Sequence, residues 1–152
     1  MFRITVLCGF LLPGEHVRAL ELDAKFDSID GGTLSLSDWN GQPVLVVSTA
    51  SQCAFNRQYQ GLRDLYDRYR NLGLVVAAVP SDDFKQELIT NDEVRDFCEL
   101  QYRTDFPMSV ITHVTGPDAH PFFRSLKEEE GFAPRWNFNK VLIGPGGTVV
   151  ET

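Results

Sequence analysis

Cysteine is scarce in this sequence: three residues in 152, at positions 8, 53 and 98. No two of them stand as Cys-x-x-Cys, which excludes dithiol exchange at a single motif. Their wide spacing also excludes a disulfide-stapled scaffold. Histidine is equally sparse, and His16, His113 and His120 share no ligand spacing with any cysteine, so no structural zinc site is expected. No Lys/Arg cluster interrupts a net charge of −7. A chain that neutralises phosphates needs a basic face, so nucleic acid is excluded as a partner. No apolar run approaches the ~20 residues that span a bilayer. What the chain does have is 43% hydrophobic residues, enough for one domain with a real core.

The first residues read differently from the rest. Arg3 is followed by the apolar stretch Ile4–Leu12 and a polar segment ending Val17-Arg18-Ala19. Val at −3 and Ala at −1 suit signal-peptidase cleavage after Ala19. The reading favoured is a signal peptide over 1–19 and one domain over 20–152, with a periplasmic or extracytoplasmic location ahead of a cytoplasmic one. Cleavage would remove Cys8. The alternative is a first strand packed on the domain.

Further on, "FDSIDGGTLSLSDW" reads as a hairpin around Asp30-Gly31-Gly32, whose glycines tolerate a tight turn. The runs "VLVVST" (44–49) and "GLVVAAVP" (73–80) are continuous and apolar, as strands buried on both faces are. Between them Tyr59, Leu62, Leu65, Tyr66 and Tyr69 recur at helical spacing. Thr90 stands three residues before Glu93 as a capping box, and Val94, Phe97 and Cys98 share one face of the helix it opens. Pro121 suits the first turn of another helix. The stretch "KVLIGPGGTVVET" closes the chain as a hairpin around Pro145-Gly146-Gly147. Strands alternating with helices, plus a final hairpin, predict an α/β fold with a mixed central sheet in thioredoxin-like order. Such a fold usually covers its last strand with a C-terminal helix. The sequence stops at Thr152, so that helix is expected to be missing.

Cys53 falls between the first buried strand and the helix that follows. Free N–H groups and the positive end of the helix dipole at that junction favour thiolate over thiol. A reactive thiol competes here with a cysteine that only fills a gap in packing. Peroxiredoxins carry Thr three residues before their peroxidatic cysteine, and position 50 is Ala.

Four blocks, "ASQCAFNRQYQGL", "FKQEL", "DFCELQYRTDFP" and "WNFNKVLI", resemble the glutathione peroxidase family in order and spacing over residues 24–152. The resemblance implies a tetrad of Cys53, Gln86, Trp136 and Asn137. Neutral donors of this kind stabilise a thiolate and then the departing alkoxide without offering a competing nucleophile. It also implies a resolving role for Cys98, which matches the cysteine of the thioredoxin-using branch. On periodicity alone Cys98 reads as a core residue. The short spacer between "DFP" and "WNF" looks like the monomeric branch.

The cycle implied is a hydroperoxide oxidising Cys53 to sulfenic acid, condensation with Cys98, and reduction by thioredoxin or glutathione. It requires no metal or organic cofactor. The chain departs from the family at Ala54, Asn56 and Arg57, where Gly and Thr-Pro are usual. It departs again at "DDFKQEL", which loses the glycines of the usual "NQFGGQEPG" loop. Asp82 and Asp83 would oppose a thiolate if they pointed inward. Two competing functions stay open: a redox sensor or relay using the same disulfide, and a non-catalytic thioredoxin-like binding module.

Overall fold

The computed structural model describes residues 20–152; the expected leader, with Cys8 and His16, lies outside the described residues. The chain runs β1 (Phe26–Asp27), β2 (Thr33–Leu34), β3 (Val44–Thr49), α1 (Gln58–Tyr69), β4 (Val75–Pro80), α2 (Asn91–Tyr102), α3 (Pro121–Glu130), β5 (Lys140–Ile143) and β6 (Val149–Glu151). β1 and β2 form the expected antiparallel hairpin. The "LSDW" that follows is a short 3-10 turn over Leu36–Trp39, not a strand extension. Ser35 and Asp38 cap each other's backbone there, which favours a turn over a ladder.

Among the described residues the main sheet has four strands in the order β4-β3-β5-β6. β3 and β4 are parallel, with Val44 opposite Val75 and Thr49 opposite Pro80. β5 runs antiparallel to β3, and β6 antiparallel to β5. This is the mixed, thioredoxin-like sheet that the alternation of strands and helices predicts.

The apolar runs divide by parity, because successive strand side chains point to opposite faces. Val44, Val46, Val75, Ala77 and Val79 join Phe122, Phe123 and Leu126 of α3 in one core. Val47, Val76 and Ala78 join Tyr59 and Leu62 of α1 and Val94 and Cys98 of α2 in the other. The sheet is covered on both sides, which is why β3 and β4 carry no polar alternation.

The predicted helix starts hold. Thr90 Oγ1 accepts from Glu93 N while the Glu93 carboxylate accepts from Thr90 N. Pro121 occupies the first turn of α3. Tyr69, expected on the buried face of α1, is exposed, with Arg68 over its ring at 5.7 Å. The closing turn depends on Gly147: at φ 79° a Cβ there would meet Leu22 Cδ1 at 2.9 Å. Among the described residues no helix is long and apolar enough to cross a membrane.

Candidate active site

β3 ends at Thr49 and α1 begins at Gln58, so Cys53 lies in a turn rather than in the first turn of the helix. The N–H that reaches its sulfur is that of Phe55, 3.5 Å from Sγ. The difference from expectation is geometric. Asn56 N donates to Cys53 O and Gln58 N to Phe55 O, so the chain closes tight turns before it settles into α1. Cys53 itself is buried, 2% exposed, while Phe55 two residues on is exposed.

Two segments remote in sequence, 86–87 and 136–138, are tied to this turn and to the strand end before it. Gln52 N donates to the Gln86 carbonyl at 2.9 Å. Ser51 N donates to Glu87 Oε1, also at 2.9 Å. Phe138 N donates to Ser48 O, and the Ser48 hydroxyl reaches the Trp136 carbonyl at 3.5 Å. The C-terminal end of β3 thus gathers the loops holding Gln86, Trp136 and Asn137.

Gln86 and Asn137 meet directly: Asn137 Nδ2 donates to Gln86 Oε1 at 2.9 Å. Asn137 is buried, 3% exposed, and its Oδ1 has no partner. Trp136 is 44% exposed, its ring tilted over Phe84 with centroids 5.4 Å apart. Both amides are aimed by backbone that side-chain-bearing residues rarely adopt. Lys85, just before Gln86, has φ 59°, and Phe138, just after Asn137, has φ 64°. A left-handed residue with a Cβ costs roughly 1 kcal/mol. The loop therefore keeps a glycine-like bend at Lys85 although its glycines are gone.

The acidic residues beside the site are occupied elsewhere. Asp82 takes Lys85 Nζ at 3.2 Å and Glu87 N at 3.3 Å. Asp83 accepts from Val114 N, at 2.7 Å, and Thr115 N, and pairs with His113 Nδ1 at 2.6 Å. Partial burial raises the Asp83 carboxyl, but the bonds from His113 and the two N–H groups bring it below the usual range. The acidic side chain bonded to the Cys53 turn is Glu87, which sequence reasoning passed over. Burial pushes this carboxyl up, against the bonds from Ser51 and Leu88. Among the described residues its Oε2 is one of five buried side-chain polar atoms without a hydrogen-bond partner, with Thr49 Oγ1, Ser51 Oγ, Tyr59 OH and Asn137 Oδ1.

Cys98 lies on the inward face of α2, 1% exposed, in the same core as Cys53, and both thiols are free. Burial pushes the Cys98 thiol up to about 12, so in place it is a protonated, inert group. The neighbouring Tyr59 hydroxyl is likewise raised well above its ordinary value by burial. Tyr59, Phe97 and Tyr102 pack edge-on and tilted around this region, with centroids 5.4–6.4 Å apart. Asn56, seen in the sequence only as a departure, bonds both to Ser51 O and to the Tyr102 hydroxyl. An amide in a turn beside a reactive cysteine was the available signal for it. Glu87 offered only its adjacency to Gln86.

The comparisons with known proteins identify the family and the fold. The family model described as glutathione peroxidase matches residues 21–127. A glutathione peroxidase of Lactococcus lactis is 40% identical over 128 residues, covering 81% of this chain and 82% of the relative. A hydroperoxy fatty acid reductase of Synechocystis is 38% identical over 136 residues, covering 82% and 80%. Among solved structures, the apo crystal structure of Trgpx superposes with a TM-score of 0.67 at 30% identity, over 88% of this chain and 84% of the other. The chain belongs to the glutathione peroxidase family and is a thiol peroxidase.

Proposed function

We propose that this peroxidase works through Cys53 as the peroxidatic thiol and Cys98 as the resolving thiol, with thioredoxin as the preferred reductant. The observation that carries the reading is the convergence of the Cys53 turn with the Gln86–Asn137 pair, through Gln52 N to Gln86 O and Asn137 Nδ2 to Gln86 Oε1. The Cys53 thiolate attacks one peroxide oxygen and the O–O bond breaks. The second oxygen leaves as water or alcohol, and Cys53 becomes a sulfenic acid. The donors we assign to the departing oxygen are the Gln86 and Asn137 amides and the Trp136 indole N–H, groups that stabilise negative charge without attacking it.

Cys98 then displaces hydroxide from the sulfenic sulfur. The sulfurs must approach to about 2 Å, with Cα atoms within ~7 Å. A thiol 1% exposed inside a helix meets that requirement by local opening of α2. Opening also returns the thiol to water, removing the burial that holds it protonated.

The half-exposed Trp136 on Phe84 and the exposed Phe55, two residues after Cys53, supply the proposed site with an apolar rim. That rim, together with the similarity to a hydroperoxy fatty acid reductase, supports organic and lipid hydroperoxides as substrates beside hydrogen peroxide. An extracytoplasmic location rests on the pattern of residues 1–19, and a mature chain beginning at Leu20 by mass is the result expected of the expressed protein.

The test is NADPH consumption with hydrogen peroxide, fed by thioredoxin and its reductase or by glutathione and its reductase. Turnover with thioredoxin that collapses in Cys98→Ser, with sulfenic or sulfinic acid accumulating at Cys53, is expected. Turnover unchanged in Cys98→Ser would remove the resolving role while leaving the peroxidase.

A further inference from the structure

We propose that Asn56 and Tyr102 form a latch between the peroxidatic turn and the resolving helix, and that its release controls the rate of disulfide formation. The proposal rests on the reading of Cys98 as the resolving thiol.

The Asn56 amide is bonded in two directions. Its Nδ2 donates to Ser51 O at 2.9 Å, two residues before Cys53. Its Oδ1 accepts from the Tyr102 hydroxyl at 3.2 Å, one helical turn after Cys98. Tyr102 is the last residue of α2, and its ring packs on Tyr59 at 5.4 Å and Phe97 at 5.7 Å. Beyond it the chain turns sharply: Arg103 has φ 51° and its N–H caps the carbonyls of Cys98 and Glu99. The Arg63 guanidinium donates to the Arg103 carbonyl, and Arg70 pairs with Asp105 at 2.8 Å. Those bonds anchor the chain just after α2 to α1 and to the residue that follows α1. The Tyr102–Asn56 bond anchors the end of α2 to the Cys53 turn.

The chemistry gives the bond its consequence. After peroxide has oxidised Cys53, the Cys98 sulfur must reach the sulfenic sulfur. An S–S bond forms, the S–O bond breaks, and the Cys98 proton leaves with the hydroxide as water. Cys98 is buried within α2, so its last turn must open, and opening parts Tyr102 from Asn56. While the latch holds, Asn56 keeps the turn in shape for attack on peroxide, and the sulfenic acid waits. The waiting time sets how much Cys53 is oxidised further to sulfinic acid when peroxide is in excess.

Reduced protein mixed rapidly with hydrogen peroxide, quenched with an alkylating agent and read by mass, measures both steps. Tyr102→Phe keeps the ring packing and removes only the hydroxyl. It is expected to form the Cys53–Cys98 disulfide roughly 2- to 10-fold faster, the range one neutral hydrogen bond supplies. The sulfinic share should fall correspondingly, with the second-order oxidation of Cys53 unchanged. Asn56→Ala should also accelerate the disulfide, and adding Tyr102→Phe to it should bring no further gain, since the Tyr102–Asn56 bond is already gone and the lost Ser51 bond is common to both. An equal or slower rate in Tyr102→Phe, or additive effects in the double variant, would overturn the latch. If wild-type protein forms no Cys53–Cys98 disulfide, the latch falls together with the resolving role. A wild-type disulfide formed at the Tyr102→Phe rate removes the latch alone.

Discussion

Asn137→Ala should leave the protein about as stable as before and make it a far slower peroxidase. The wild-type side chain makes one hydrogen bond, from Nδ2 to Gln86 Oε1 at 2.9 Å, and leaves Oδ1 buried without a partner. Losing the bond costs about 1 kcal/mol, and the small void left behind about 1 kcal/mol more. Removing an unsatisfied buried acceptor returns roughly 1–3 kcal/mol. The terms nearly cancel, so the midpoint of urea unfolding should move little. Reactivity has no such cancellation. A donor that stabilises developing negative charge is worth on the order of 100-fold in rate. Stopped-flow oxidation of Cys53 by hydrogen peroxide, set beside urea unfolding of the same samples, separates the two quantities. A variant destabilised by about 3 kcal/mol yet oxidised at the wild-type rate would refute the reasoning and make Asn137 a purely structural amide.

Trp136→Phe keeps an aromatic ring on Phe84 but removes the indole N–H, and since Trp136 is 44% exposed its thermal midpoint should hardly change. Cys53 oxidation should slow by roughly 10-fold or more, and equal rates would show that the ring rather than the N–H matters. Lys85→Gly relieves a residue at φ 59° and should stabilise by up to about 1 kcal/mol in urea unfolding, after the entropy glycine loses on folding; a clear loss of stability would mean the bend carries no strain. His113 is held above its usual range by the bond to Asp83, and Asp83 below its own. The His113 contribution is present below the unfolded value of roughly 6.5 and lost as pH rises through the higher folded one. The Asp83 contribution is present above roughly 3.9 and lost as pH falls through the lower folded value. The stability difference between wild type and His113→Ala should therefore be greatest between about pH 4 and 6.5 and shrink above; a flat difference across pH 4–9 would dismiss the pair.

Much of the fold is written locally. Continuous apolar runs at 44–49 and 75–80, short and rich in valine, favour strands buried on both faces, and Thr90 with Glu93 starts a helix with its own side chains. The cysteine at a strand end, and the four blocks around it, were likewise legible, because spacing along one chain is a property of sequence. What spacing could not supply was contact between loops. That Asn137 is buried and Trp136 half-exposed follows from how the 136–138 loop hangs on Ser48 of β3. The burial of the Glu87 carboxyl follows from Ser51 N reaching across to it, and the neutralisation of Asp83 from His113 thirty residues on. Asn56 looks like a mere departure until α2 brings Tyr102 to it. The sequence by itself determined which segments form strands and helices and which thiol stands at the sheet's end, since those depend on neighbours a few residues away. Tertiary structure alone decided which polar groups are buried, paired or left without a partner, since that depends on atoms the chain brings together only when it closes.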